Sequence, residues 1–224
     1  LKKSVIIANE HNDLKTKFIQ NISSQMEPTL NTLGASAKDL SAKAPQQAEQ
    51  MQAQVAALKQ FSDDIQELSL LENSLTEPYE MGEVNAGTFC ENVMEKAKEF
   101  MKPDVTPSVN APKLQVKTNK EQLERILLYL LKNAAFYTEQ GRISLDFKKR
   151  GAHTHQFIIT DTGTGISAEQ QENLFKPFTQ VKDLTTGDGL GLPICSLIAT
   201  KMNGSLTLDT GYTKGCRFIL ELHA

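Results

Sequence analysis

The chain has 224 residues, 39% of them hydrophobic and 23% charged, with a formal net charge of −3 at neutral pH. This composition is typical of a water-soluble protein with one large or two modest domains. The acidic balance excludes the basic face that nucleic-acid binding requires. No apolar run approaches the ~18 residues that span a bilayer, and no signal-peptide pattern is present. We therefore expect a cytoplasmic fragment whose parent carries any membrane segment upstream of Leu1.

Residues 4–75 show helical periodicity, with apolar residues spaced three or four apart. The stretch from Ser41 to Pro45 interrupts the pattern, and Pro45 suits the first turn of a new helix. The segment is thus predicted to be a hairpin of two long helices. Two helices cannot enclose a core, so the apolar stripe is expected to pair with a second copy as a homodimeric four-helix bundle. The alternative is a hairpin packed on the rest of its own chain.

The pattern changes after Glu77-Pro78. Strand-like alternation of apolar and polar residues appears between helical segments, which predicts an α+β sandwich with helices on one face of a sheet. The last two strands form a closing hairpin through Gly211 and Gly215. Helices are predicted at about 86–101, 119–137 and 193–202, and strands at 142–149, 156–160, 205–209 and 216–222.

Three cysteines and four histidines carry no catalytic pattern. The cysteines are odd in number and widely spaced, so they suit neither a disulfide framework nor a zinc site: Cys90, Cys195 and Cys216. Each is predicted to be buried in the fold, and the protein is expected in a reducing compartment. The histidines are predicted to be solvated surface residues: His11, His153, His155 and His223.

Asp161-Thr-Gly-Thr-Gly165 follows a buried strand directly. A carboxylate at a strand end can accept the amino hydrogen of a purine, and glycines let the backbone approach a ligand closely. A second cluster, Gly187-Asp-Gly-Leu-Gly191, opens a helix, where backbone N–H groups can hold phosphate. Each motif alone is equally compatible with an ordinary glycine turn.

Asn133 lies near the end of an apolar helix. An amide there needs a partner, and a magnesium ion on a triphosphate would supply one. A helix cap is the other explanation. The stretch from Leu174 to Phe178 precedes a short polar segment, Thr179 to Thr186, which can act as a lid over a nucleotide.

The order of Asn133, Asp161–Gly165, Phe175-x-Pro-Phe178 and Gly187–Gly191 resembles the catalytic domain of two-component sensor histidine kinases, within the ATP-binding superfamily of gyrase and Hsp90. The short lid is similar to that of the Bacteroides group. The resemblance implies a phosphoacceptor-type dimerisation hairpin at 1–78 and an ATP-binding catalytic domain at 79–224.

By the same resemblance, ATP and Mg²⁺ are the cofactors. Asp161 would hold the adenine amino group, Asn133 would ligate the magnesium, and Tyr137 would stack near the adenine. The walls and phosphate loop would be formed by Gly163, Gly165, Phe178, Gly187, Gly189, Leu190 and Gly191.

The phosphoacceptor box departs from the family pattern. Ser24 stands where the histidine belongs and Gln25 where the acidic general base belongs, while Glu27 and Pro28 are further departures. A serine hydroxyl without a neighbouring base is a poor nucleophile, and Gln25 cannot accept a proton. Transfer to Ser24 within the chain is therefore not expected.

Milder departures occur around the nucleotide. Tyr129 replaces a frequent Asn, Phe136 a frequent phosphate-contacting Lys, and Arg217 a frequent Thr near the adenine. Loss of a lysine contact should weaken binding or turnover without affecting the fold.

Three functions compete. The chain is a histidine-kinase-type phosphotransferase that acts on a partner sensor kinase or response regulator, a pseudokinase that works as a dimeric signalling scaffold, or an ATPase or chaperone of the wider superfamily. The helical hairpin and the Phe-containing motif argue against the last. The resemblance also implies a parent anchored in the inner membrane.

Overall fold

The computed structural model describes residues 26–38, 44–74, 79–151, 153–177 and 189–223, together with Ile19 and Glu77. These residues divide into two compact units, one within 1–74 and 175–194 and the other within 75–174 and 195–224. None of the described helices is long and apolar enough to cross a membrane. The domain boundary after residue 78 stays a prediction.

Two helices form the N-terminal hairpin. The described part of α1 covers residues 26–38, and α2 covers Pro45–Asn73. Pro45 lies in the first turn of α2, as predicted, because the first N–H groups of a helix have no partner within the helix in any case. No other proline and no glycine occurs in the 29 residues of α2, so nothing in its sequence breaks the helix.

The two helices run antiparallel. Asn31 of α1 accepts a hydrogen bond from the ammonium group of Lys59 in α2. Further along α1, a Cβ added at Gly34 would lie 3.7 Å from Val55. Later residues of α1 therefore lie beside earlier residues of α2. Pairing with a second copy stays a prediction, and several apolar residues of the α2 stripe are only half-buried within one chain: Met51, Val55, Leu58, Phe61 and Ile65.

The described residues after the hairpin form seven strands: β1 Gly82–Asn85, β2 Val105–Asn110, β3 Gln115–Thr118, β4 Gly141–Arg150, β5 Thr154–Asp161, β6 Gly204–Leu208 and β7 Arg217–His223. Five of them make one sheet in the order β2-β4-β5-β7-β6, in which only β2 and β4 are parallel. β1 and β3 form a separate antiparallel pair.

The four strands predicted from alternating patterns are present as β4 to β7, with ends shifted by one or two residues. The first three strands were not predicted. β1 and β3 have four residues each, which is too short for a clear alternation. β2 contains Pro107, which disfavours a strand assignment but is tolerated here because β2 lies at the edge of the sheet.

Four further helices are described: α3 Ala86–Ala97, α4 Lys120–Tyr137, α5 Ala168–Gln171 and α6 Gly191–Lys201. Of these, α3 and α4 pack against strands of the larger sheet. Alternate residues of β4, namely Ile143, Leu145 and Phe147, are buried as predicted. They meet the apolar side of α4, which includes Leu127 and Leu131. The predicted α+β sandwich is confirmed.

The predicted burial of the three cysteines is confirmed, and the prediction for one histidine is wrong. Cys90, Cys195 and Cys216 are free and buried. His155, predicted to be solvated, is only 7% exposed and stacks on Phe147 with ring centroids 5.8 Å apart. The reason is the alternation of β5, which places His155 on the same face as the buried residues two and four positions later.

Candidate nucleotide site

Helix α4 places the predicted magnesium ligand and the predicted adenine neighbour. The side chain of Asn119 caps its first turn by accepting from Gln122 N at 2.9 Å. Asn133 is half-buried near the other end, and its side chain makes no hydrogen bond to another described residue. Tyr137, the last helical residue, is 52% exposed and meets the ring of Phe136 edge-on at 4.9 Å. The cap explanation for Asn133 does not hold, because α4 continues for four more residues to Tyr137 and its C-cap residue is Thr138.

Asp161 is the last residue of β5 and is 4% exposed. Its Oδ1 atom accepts two backbone hydrogen bonds, from Gly163 N at 2.9 Å and from Cys216 N at 3.0 Å. Its other carboxylate oxygen accepts none from the described residues. The carboxylate is therefore held on one side and available on the other.

Burial raises the pKa of Asp161 above its ordinary value, because removal from water penalises the charged form. The hydrogen bonds from Gly163 and Cys216 act in the opposite direction. Burial, and then the neighbouring Asp161 charge, raises the pKa of the Cys216 thiol to about 12, so this cysteine stays protonated at neutral pH.

The Asp161–Gly165 turn is attached to the end of α4. Thr164 N donates to the carbonyl of Tyr137 at 3.2 Å. A Cβ at Gly163 would lie 2.4 Å from that same carbonyl oxygen, so the glycine is required by the protein itself. Gly165 has a φ of +73°, which only glycine adopts readily. Both glycines were predicted to allow close approach of a ligand. The structure adds a second reason, which is that the turn itself requires them.

Three residues of the second glycine cluster are described. Gly189 has a φ of +70°, Leu190 is fully buried, and Gly191 begins α6. Ile194 N donates to Leu190 O at 2.9 Å, so the first turn of α6 is closed as predicted. Four other predicted site residues lie outside the described residues: Ser24, Gln25, Phe178 and Gly187.

The turn between β6 and β7 also contributes to the site; Arg217 beside it was expected near the adenine, but the contacts of Tyr212 and Cys216 were not predicted. Cys216 donates to Asp161 through its backbone, and Tyr212 Oη donates to the carbonyl of Asp161 at 3.2 Å. A Cβ at Gly215 would lie 2.2 Å from that carbonyl oxygen. The turn was recognised from its glycines, but pairing of β5 with β7, on which this contact depends, cannot be deduced from local sequence.

Comparisons with known proteins find relatives of this chain. Residues 118–224 match the family described as histidine kinase-, DNA gyrase B-, and HSP90-like ATPase. The aerobic respiration control sensor protein ArcB of Escherichia coli is 25% identical over 94% of this chain and 29% of its own length. The sensor histidine kinase RppB of Synechocystis is 35% identical over 53% of this chain and 27% of its own length. The chain thus spans less than a third of these relatives.

Solved structures show the same fold. Full-length ShkA in complex with AMPPNP superposes with a TM-score of 0.76 at 20% identity, covering 94% of this chain and 46% of that one. The Acinetobacter baumannii histidine kinase AdeS gives a TM-score of 0.65 at 20% identity, covering 88% and 96%. Residues 118–224 therefore belong to this ATPase family, and the chain as a whole is similar to two-component sensor histidine kinases.

Proposed function

We propose that this chain is a Mg-ATP-dependent kinase core in which Asp161 selects adenine. The supporting observation is the carboxylate geometry. Two backbone N–H groups fix Oδ1, and the second oxygen has no partner among the described residues. A fixed acceptor suits a ligand donor, and the exocyclic amino group of adenine is one. Tyr137, exposed at the end of α4, is the proposed stacking residue.

Asn133 is the proposed magnesium ligand. Its half-buried carboxamide makes no hydrogen bond to another described residue. Among the described residues, no three His, Cys, Asp or Glu side chains form a group that could hold a metal ion. One protein oxygen fits a magnesium ion that keeps phosphate oxygens and water as its other ligands. Such an ion, when bound, neutralises charge that develops on the transferred phosphoryl group.

The phosphate loop is proposed at the start of α6. Unpaired N–H groups in the first turn of a helix attract phosphate, and glycines allow close approach. Gly189 has a φ of +70° and Gly191 is the first residue of α6, and both features support this placement. Gly163 and Gly165 are the proposed glycines beside the base. Phe178 and Gly187 complete the proposed set.

The proposed phosphoryl acceptor lies on another protein. Ser24 replaces the histidine and Gln25 replaces the acidic base, so the chain lacks its own acceptor box. We propose transfer to a histidine of a partner sensor kinase within a dimer, upstream of a response regulator. The second candidate is a pseudokinase that binds nucleotide and signals by conformation, and the same two residues favour it. The parent is proposed to be anchored in the inner membrane.

The decisive experiment uses γ-labelled ATP and Mg²⁺, with the chain alone and with an intact sensor kinase whose own ATP site is inactivated. Acid-labile label on the histidine of the partner supports the kinase. Nucleotide binding by calorimetry without any label supports the pseudokinase. Absence of adenine-nucleotide binding overturns the ATP-site proposal itself.

The role of Asp161 is tested by Asp161→Asn. The amide oxygen can still accept from Gly163 and Cys216, but the amide nitrogen would then face the donor on adenine. Loss of a hydrogen bond to a charged group is expected to weaken ATP binding ~10- to 100-fold in calorimetry. The thermal stability without nucleotide should not fall, because a buried charge is removed. Unchanged affinity would refute the assignment.

A further inference from the structure

We propose that Tyr212 and Arg217 are positioning residues that set the direction of the free carboxylate oxygen of Asp161, and so control the selection of the purine base. Neither side chain is assigned to the site by the resemblance in this way. The inference rests on the proposed function, because it concerns how Asp161 presents its acceptor to adenine.

The β6–β7 turn holds Asp161 at three of its atoms. The backbone of Cys216 both donates to Asp161 Oδ1, at 3.0 Å, and accepts from Asp161 N, at 2.9 Å. Tyr212 Oη donates to the carbonyl oxygen of Asp161 at 3.2 Å. At Gly215, with a φ of +146°, a Cβ would lie 2.8 Å from Oδ1 and 2.2 Å from the carbonyl oxygen. The turn therefore packs directly against the carboxylate and its backbone.

Arg217 holds Tyr212 in place. Its guanidinium carbon lies 4.2 Å from the centre of the Tyr212 ring, which is within cation–π distance. The same guanidinium group donates to Asp209 Oδ2 and to Thr160 Oγ1, each at 3.2 Å. Three contacts in different directions leave the guanidinium little freedom, so the tyrosine ring packs on a fixed surface.

Asp209 anchors the other end of the turn. Its Oδ1 accepts from Gly211 N at 3.0 Å, and its backbone carbonyl accepts from Tyr212 N at 3.2 Å. Its second carboxylate oxygen pairs with Arg217. The aspartate thus links the backbone of the turn to the guanidinium group, and Tyr212 is positioned through both its backbone and its ring.

The consequence concerns the orientation of the Asp161 carboxylate. Oδ1 is shared between two donors on different segments, Gly163 in the following turn and Cys216 immediately before β7. The position of the free oxygen therefore depends on how these two segments are spaced. The bond from Tyr212 ties the second segment to the backbone of Asp161 itself. Loosening it lets the carboxylate rotate, which weakens a directional hydrogen bond more than it weakens stacking or phosphate contacts.

The test compares ATP with purine riboside triphosphate, which is identical but lacks the exocyclic amino group. Affinities of both are measured by calorimetry on the full chain. Wild type should prefer ATP by ~10-fold or more, the value of a charge-assisted hydrogen bond. Tyr212→Phe removes only the hydroxyl, and Arg217→Met removes the guanidinium. Each should reduce the preference by ~5-fold and change the affinity for purine riboside triphosphate less than ~2-fold.

Two further variants serve as controls. Arg217→Lys keeps a cation near the ring and Asp209, so it should restore part of the preference that Arg217→Met loses. Thr213→Ala changes an exposed residue of the same turn and should leave the preference as in wild type. Thermal unfolding of every variant shows whether the fold is retained.

The outcomes separate the two levels of the proposal. If wild type discriminates but Tyr212→Phe and Arg217→Met keep the full preference, the positioning role is overturned while adenine selection by Asp161 stands. If both ligands weaken equally in these variants, the residues are merely structural and the inference is again wrong. If wild type binds both triphosphates equally, the adenine role of Asp161 fails, and this inference fails with it.

Discussion

The ATP-binding half and the helical hairpin bury their apolar residues to different degrees. In the former, Leu123, Ile126 and Phe157 are completely buried within one chain. In the hairpin, the stripe of α2 is mostly half-buried, and Leu70 is 49% exposed. Helices that pack on a sheet bury their own apolar face and that of the sheet, whereas two helices alone leave part of each apolar face exposed. The first region therefore completes its own core, whereas the pairing of the second with a partner stays a prediction.

The largest predicted effect tests the close packing of the ATP-binding half. Gly215→Ala would place a Cβ 2.2 Å from the carbonyl oxygen of Asp161, at a φ of +146°. Backbone would have to move on both sides of the site, and we expect the free energy of unfolding to fall by about 2–4 kcal/mol. Urea unfolding monitored by circular dichroism measures the change.

Gly82→Ala is the matched control, because a Cβ there meets nothing within 4 Å. It should leave stability unchanged or raise it by about 0.5 kcal/mol, through lower entropy of the unfolded chain. Equal stability of the two variants would show that the β6–β7 turn yields easily, against the rigid packing inferred for this half.

The parts of the site that were predicted share one property: each depends on a short stretch of sequence. Asp161 is recognised because a buried strand directly precedes it, and Asn133 because it interrupts an apolar helix. The contacts of Asp161 with Tyr212 and Cys216 are 51 and 55 residues apart in sequence and depend on the pairing of β5 with β7. Local patterns indicate the strands but not which of them are neighbours.

His155 shows a different reason for an incorrect prediction. The alternation of β5 places it inward, and this could have been deduced from the sequence. The prediction that His155 is solvated relied on the polarity of histidine and not on its position in the strand. The edge strand β2, by contrast, carries Pro107 and no clear alternation, so only the parallel pairing with β4 defines it. That pairing is long-range information.

The second prediction tests whether the hairpin needs a partner. Leu58→Asp places a charge in the half-buried stripe of α2. If a second copy covers this stripe, burial of the charge should dissociate the dimer, with ~100-fold weaker association corresponding to about 3 kcal/mol. Light scattering over a range of concentrations measures the mass, and calorimetry on the same sample should show ATP affinity within ~2-fold of wild type.

Gln54→Asp is the control, because it adds the same charge on an exposed position of the same helix. It should remain dimeric. Two results would contradict the comparison: a wild-type chain that is monomeric at high concentration, or a Leu58→Asp variant that loses its nucleotide affinity together with its dimerisation.

The third prediction concerns acid stability of the ATP-binding half. Burial, and then the charges of Lys149 and His153, lowers the pKa of His155 below its ordinary value. The unfolded chain therefore binds a proton at this histidine more readily than the folded chain does. Stability from this residue is fully present above about pH 6.5 and is lost as the pH falls below that value. His155→Gln should flatten this part of the stability profile, measured by urea unfolding between pH 7.5 and 5.

The exposed neighbour provides the control. His153→Gln removes the smallest of the three causes, so it should retain most of the loss of stability on acidification, because burial of His155 and the charge of Lys149 remain. Asp161 contributes in the opposite sense at lower pH, since burial raises its pKa and the folded chain takes up its proton first. A wild-type profile that is flat through pH 6, or a His155→Gln profile as steep as wild type, would contradict the assignment.

The smallest expected effect lies at Thr118, the first residue of the segment that matches the ATPase family. Its side chain is 2% exposed, and its hydroxyl has no hydrogen-bond partner among the described residues. Thr118→Val keeps the shape, removes the unpaired polar atom and suits a strand, so we expect a gain of about 0.5–1 kcal/mol in urea unfolding. Thr160→Val, at a hydroxyl that accepts from Arg217, should instead lose stability. A gain of stability at Thr118 and a loss at Thr160 would show that this half is packed closely enough for single hydrogen bonds to affect stability. A loss at both positions would mean that the hydroxyl of Thr118 has a hydrogen-bond partner in solution.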